Sequence, residues 1–230
     1  MPYVSAAQAA VELGVDPARV RALVAGGELE GEKLAGRWLV DSASLALRVR
    51  SRPPAGRPFA PHNAWALIFL ASELDPSWVS PSRRSQLRRA LRLESFEKLA
   101  PRLARRAQVH HFRAHPGELA RVRSDGRLVL AGASAAGGHG LDLLAGAEVD
   151  SYVSEAVLKE VVRDHVLDVA SPAEANLILR SVASPAWPFE SGSKMAPLAA
   201  VALDLSEDLD RRSVRLGREL LARLSRESQG

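Results

Sequence analysis

Four prolines fall within the eleven residues from Ser51 to Pro61, SRPPAGRPFAP. A proline has no N–H to give to a helix or a ladder, and its φ is fixed, so neither regular structure runs through such a stretch. The 230 residues are thereby cut into a short head, residues 1–51, a stiff linker, 52–62, and a larger body, 63–230. Each side of the linker must bury a core of its own. With 47% apolar residues, the composition of an ordinary globular protein, the chain has enough for both.

There is no cysteine. That excludes disulfides, thiolate metal sites and cysteine catalysis, and it fits a reducing compartment. The opening MPYVSAAQAAVELG lacks the basic region and long apolar run of a signal peptide. The most apolar stretch, Ala64 to Ala71, is far short of the roughly 20 residues that cross a bilayer. The expectation is a cytoplasmic protein that does not touch a membrane.

In the head, Ser5 is placed to cap a helix with Ala6, Ala9, Ala10 and Leu13 on one face, ended by Gly14. Asp16 caps a second helix, and Pro17 sits at its first position, where a missing N–H costs nothing. Val20, Leu23 and Val24 point inward from it, and Gly26-Gly27 stops it. Leu29–Leu34 and Arg37–Val40, around Ala35-Gly36, read as a hairpin. Asp41 then caps a third helix that runs into Arg48-Val-Arg-Ser-Arg52. Helix, turn, helix, hairpin and helix in about fifty residues is the outline of a winged helix-turn-helix.

In that arrangement the second helix enters the major groove and the hairpin follows the backbone or the minor groove. The side chains so placed are Ala18, Arg19 and Arg21 on the helix and Lys33 and Arg37 on the hairpin. Ser5 and Gln8 on the first helix are placed for phosphates. Glu28, Glu30 and Glu32 crowd the hairpin and weaken its positive field. One such module meets one half-site, so a homodimer or several copies on duplex DNA is expected.

The run VSAAQAAVELGVDPARVRALVAGGELEGEKLAGRWLVDSASL resembles the MerR-like and excisionase-like winged helix-turn-helix family. The likeness is carried by the V-S-A-A-Q-A-A start, L-G-V-D-P-A-R-V-R across the turn, the G-G-E-L exit and G-R-W-L-V before an Asp-Ser cap. It implies a sequence-specific DNA-binding regulator.

The body reads as helices followed by strands mixed with helices, which makes the whole chain α+β. Trp65–Leu74 is apolar almost all round and should be buried. Helices follow at Pro81–Leu93, capped by Ser80, and at Phe96–Ala107, broken near Pro101. Strands are expected at Val109–His115, Leu128–Ala131, Val149–Val153 and Asn176–Val182. Short helices are expected at Pro116–Ser124 and at Glu155–His165, the second capped by Ser154. Pro197–Leu205 is apolar, helical or extended. A last helix from Glu207 to Arg226 is expected to carry Glu207–Arg211 and Asp208–Arg212 pairs.

Ten basic residues between Arg83 and Arg113 stand against Glu94 and Glu97 alone. Arg84, Arg88 and Arg92 recur every four residues on one helical face, a stripe suited to a phosphate backbone or to an acidic protein. The stretches RRAQVHHFRAHPGELARVRSDGRLVLAGASAAGGHGLDLL, EVDSYVSEAVLKEVVRDHVL, NLILRSV and APLAAVALDLSEDLDRRSVRLGRELLARL resemble the C-terminal region of AbiEi-type antitoxins. That resemblance implies a repressor of its own operon in a toxin–antitoxin or phage-defence system, with a nucleotidyltransferase-like toxin as partner. On the head alone, the alternative is a stand-alone architectural regulator of the MerR or excisionase kind.

Gly132-Ala-Ser134, Glu148-Val-Asp150 and Asp168 carry the letters of a nucleotidyltransferase site, which holds Mg²⁺ on carboxylates of one strand face. The turn is Gly-Ala-Ser, the first acid is Glu, and no basic triphosphate clamp is near. Ser134 is therefore expected to cap a small-residue helix, with the acids at the surface. His110 and His111 alternate across a strand and cannot share an ion. Ser134, His139 and Asp142 are too close in one glycine-rich segment for a supported triad. No catalytic residue, cofactor or metal is expected.

Overall fold

The computed structural model describes residues 3–228 apart from 14, 28, 35, 51–56, 144, 145 and 147. The end of the first helix at Gly14 and residues 52–56 of the proline-rich linker thus lie outside the described residues. The chain divides into two compact units, residues 1–54 and 55–230. Both helices and sheets are present, so the class is α+β.

The first unit runs β1 (Tyr3–Ser5), α1 (Ala6–Leu13), α2 (Pro17–Ala25), β2 (Gly31–Leu34), β3 (Arg37–Asp41) and α3 (Ser42–Arg50). Among the described residues its sheet has the order β1-β3-β2, antiparallel throughout. The strand β1 has no counterpart in the expectations; three residues ahead of a helix are too few to show alternation. Ala9, Ala10, Leu13, Val20, Leu23, Val24, Leu29, Val40 and Leu45 form the core. Asp16 accepts from Ala18 N (2.7 Å), and Asp41 accepts from Ala43 N and Ser44 N, so both helices that follow are capped as their sequences require. Gly31 is obligatory, because a Cβ there would meet the Leu39 carbonyl oxygen across the hairpin.

The second unit opens with α4 (Pro61–Ala71), α5 (Pro81–Leu93) and α6 (Phe96–Leu99). Pro61 takes the first turn of α4 rather than ending the linker, a position proline tolerates. Pro101 turns the chain after α6 into a 3-10 stretch, Ala100–Arg106. Then come β4 (Gln108–Arg113), α7 (Leu119–Ser124), β5 (Leu128–Leu130), α8 (Gly132–Ala136), β6 (Val149–Ser154) and α9 (Leu158–Asp164). The chain closes with β7 (Asp168–Val169), β8 (Leu177–Val182), α10 (Leu198–Ser206) and α11 (Arg211–Glu227). Ser154 ends β6 instead of capping a helix, and α9 begins only at Leu158. Glu207 and Asp208 precede α11, so the two expected i,i+4 pairs do not form within a helix.

Among the described residues the sheet of this unit has the order β5-β6-β8-β4-β7, with β6 and β8 parallel and the other pairs antiparallel. Alternation sends Val149, Val153, Leu177 and Leu179 to one face, against Leu119, Val122 and Val161 of α7 and α9. Tyr152 and Val182 point to the other face, where α4, α5, α6, α10 and α11 build the main core around Trp65. The sheet is thus covered on both faces, and β6 and β8 bury residues on each, polar Ser151, Arg180 and Ser181 among them.

Candidate nucleic-acid interface

The caps and the core fix which side of α2 looks outward. Val20, Leu23 and Val24 are buried, while Ala18, Arg19, Arg21, Ala22 and Ala25 are exposed. At 3.6 residues per turn, Ala18, Ala22 and Ala25 share the outward crest, and Arg19 and Arg21 stand on opposite flanks. The helix therefore offers a ridge of small side chains with a guanidinium on each side.

The hairpin register pairs Lys33 with Trp38 and Leu34 with Arg37. Directly paired residues share a face and neighbours alternate. Lys33 thus lies on the face that carries Val40 into the core, with its ammonium 5.9 Å from the centre of the Trp38 ring. Arg37 lies on the opposite face with Glu32 and Leu39. Both cations are exposed, but the hairpin does not bring them together. Ser5 and Gln8 form a reciprocal cap: Gln8 N donates to Ser5 Oγ (3.2 Å), and Ser5 N and Oγ donate to Gln8 Oε1 (3.0 and 2.9 Å). Their first task is closing the N-terminus of α1.

The arginine stripe of the second unit is unequal. Arg84 is only partly exposed and pairs with Asp75 at 2.6 Å, while Arg88 and Arg92 face solvent. Arg83 is tied to Asn63 and Gln86. Arg102 donates to the Arg57 carbonyl and lies over the Phe59 ring. Arg106, counted with the positive surface in the sequence, is in the interior.

That interior holds the polar cluster the sequence reading missed. Arg106 donates to Asp204 Oδ1 (2.9 Å) and to both oxygens of Glu207 (2.9 and 2.6 Å). The Tyr152 hydroxyl donates to the same Asp204 oxygen (2.7 Å), and Arg180 makes two bonds to Asp150 (2.9 and 2.8 Å). Burial alone would lower the Arg106 guanidinium; Glu207, Tyr152 and Asp204 reverse this and raise it well above its ordinary value. Burial pushes the Asp150 carboxyl up against the pull of Arg180. The signal was present: Asp204 interrupts the apolar helix LAAVALDLS and Arg180 the apolar strand LILRSV. A charge inside an apolar run asks for a buried partner.

The same cluster accounts for the Gly-Ala-Ser and Glu-Val-Asp letters. A Cβ on Gly132 (φ 42°) would collide with the Asp150 carboxylate, and Ser134 Oγ accepts from Asp150 N (2.9 Å). These expectations hold only in part: Ser134 steadies β6 instead of capping α8 and Asp150 is drawn into the buried cluster by Arg180, while Glu148 and Asp168 are at the surface. Asp168 lies on β7, three strand spacings from β6, about 14 Å by sheet geometry. The three carboxylates are not brought together.

His110 and His111 project to opposite faces, His110 beside Ser181 Oγ (2.9 Å). Burial lowers both imidazoles below their ordinary value, with Arg180 adding to the shift at His111. His139 contacts the Ala196 carbonyl, Asp142 faces Arg212 and Ser134 Oγ is engaged by Asp150 N, so the hydrogen bonds of the three go elsewhere than to one another. Among the described residues no group of three His, Asp or Glu is placed to hold a metal ion, and no helix is long and apolar enough to cross a membrane. Compared with protein-family models, curated proteins and solved structures, the chain matches none.

Proposed function

We propose that the protein is a sequence-specific DNA-binding transcriptional regulator whose first unit works as a winged helix-turn-helix. One observation carries the reading: the outward crest of α2 is all alanine, with Arg19 and Arg21 on its two flanks. A crest without bulk lets the helix backbone sit deep in a major groove, and flanking guanidiniums then reach base edges and both groove walls. The hairpin adds Lys33 and Arg37 for the backbone on either side of its ribbon. Gln8 keeps its exposed amide NH₂ for a phosphate, since the cap uses only its oxygen.

A module this small covers one half-site, so the working form is a homodimer or several copies along the duplex. Through the likeness to AbiEi-type antitoxins, the reading extends to repression of the protein's own promoter in the cytoplasm, with a nucleotidyltransferase-like toxin as partner. Selection of bound sequences from a random duplex library, then a footprint on the native promoter, tests the proposal. In mobility shifts at fixed salt, Arg19→Ala and Arg37→Ala should each weaken binding to the selected site by about tenfold, the scale of one lost base or phosphate contact. Unchanged binding by both variants would remove the assignment.

A further inference from the structure

The turn after α4 and the facing side of α5 enclose an open groove of about 430 Å³. Leu70 and Leu91 line its floor, Leu74 stands at its mouth, and Arg88 and Arg92, one helical turn apart, form its rim. Leu74 is 45% exposed, and Leu93 at the end of α5 is 72% exposed. Leu74 is held in place by the helix closure. Glu73 takes a left-handed conformation (φ 59°), and Leu74 N donates back to the Phe69 carbonyl (2.9 Å). Arg84, the third arginine of the stripe, is already engaged by Asp75. Among the described residues no ion pair or hydrogen bond occupies Arg88 or Arg92.

A phosphate backbone asks for cations and tolerates few apolar neighbours. Here Leu70, Leu74 and Leu91 share the wall with the arginines, which is poor lining for DNA, and with Asp75 taken up by Arg84 two guanidiniums remain against Glu73. An apolar floor with a charged rim is instead the lining that receives an amphipathic helix. We infer that this groove docks an acidic amphipathic helix of a partner protein. Leucine-sized anchors would fill the floor, and carboxylates on the flanking turn would pair with Arg88 and Arg92. The inference stands on the second unit alone and does not depend on DNA binding by the first.

The test uses the full chain and a displayed library of helix-forming peptides. The peptides carry leucine at helical spacing, and their flanking positions vary among Glu, Gln and Lys. Wild-type protein should enrich Glu-bearing clones, and their affinity should fall by about tenfold or more on Arg88→Glu/Arg92→Glu. The reversed protein should select Lys-bearing clones instead. Leu74→Ser, which leaves every charge in place, should weaken the same clones, so the result does not hang on one variant. A mixed-sequence duplex should bind wild type and the charge-reversed protein alike. Three results overturn the inference: no enriched clone, clones indifferent to charge reversal, or a loss of duplex affinity on reversal, which would assign the stripe to DNA.

Discussion

At the scale of single residues, Val166 shows strain that the sequence does not advertise. It follows α9 with φ 49° while Leu167 N reaches back to the Val162 carbonyl, the closure that normally uses glycine. A β-branched side chain in this conformation costs about 1–2 kcal/mol, and Val166, 79% exposed, buries little to offset it. Val166→Gly is expected to stabilise the protein by about 1 kcal/mol in urea unfolding, despite the greater freedom glycine has when unfolded; a loss of stability would contradict the strain. A second residue-scale effect is acid sensitivity. The Arg127 guanidinium, with His165 adding to it, holds the Asp125 carboxyl well below the usual carboxylate range. Glu118, bonded to His165, and Asp164, bonded to Arg127, are lowered as well. A depressed carboxylate gives its stability above its unfolded pKa, about 4, and loses it as pH falls. Stability should therefore decline below about pH 4, and Asp125→Asn should flatten that limb in unfolding measured across the acid range. Such couplings were not legible in the sequence, since Asp125, Asp164 and His165 meet only once α7 and α9 pack on one face. Asp150 and Arg106 were misjudged for the same reason: their partners lie on other elements.

At the scale of elements, legibility followed local chemistry. The starts of α2 and α5 were readable because Asp16-Pro17 and Ser80-Pro81 state cap and first turn together. The break near Pro101 was readable for the same kind of reason. The start of α9 was not, because Ser154 has the residue type of a cap yet is the last residue of β6. The strand β1 exists only through pairing with β3, which no three-residue pattern announces. Gly217 makes the contrast quantitative. In an exposed helix, replacing glycine by alanine adds up to about 1 kcal/mol. In α11 a Cβ at Gly217 would lie 2.4 Å from Ser206 N and 2.9 Å from the Ala202 carbonyl oxygen, both backbone atoms of α10. Gly217→Ala is accordingly expected to cost about 2 kcal/mol, read from thermal or denaturant unfolding. A gain in stability would mean that the two helices do not approach this closely.

For the whole molecule, charge placement matters more than net charge. The formal excess is only +4. Residues 1–54 contain seven basic residues, Arg19, Arg21, Lys33, Arg37, Arg48, Arg50 and Arg52, and six acidic ones, so this unit is close to neutral by sequence. Under the proposed DNA-binding function, non-specific attraction by this unit would be weak, and affinity would have to come from where a few guanidiniums stand. The α+β class and the outward arginines of α2 could be read from capping and apolar spacing. The opposite orientations of Lys33 and Arg37 needed the strand register. The most direct measurement is equilibrium binding of the full chain to a labelled duplex of its promoter across a salt series, for wild type and Arg19→Ala/Arg37→Ala. The double variant is expected to bind about a hundredfold more weakly at fixed salt, with a salt slope smaller by about one to two. A double variant that binds as tightly as wild type, with the same slope, would contradict the DNA-binding proposal.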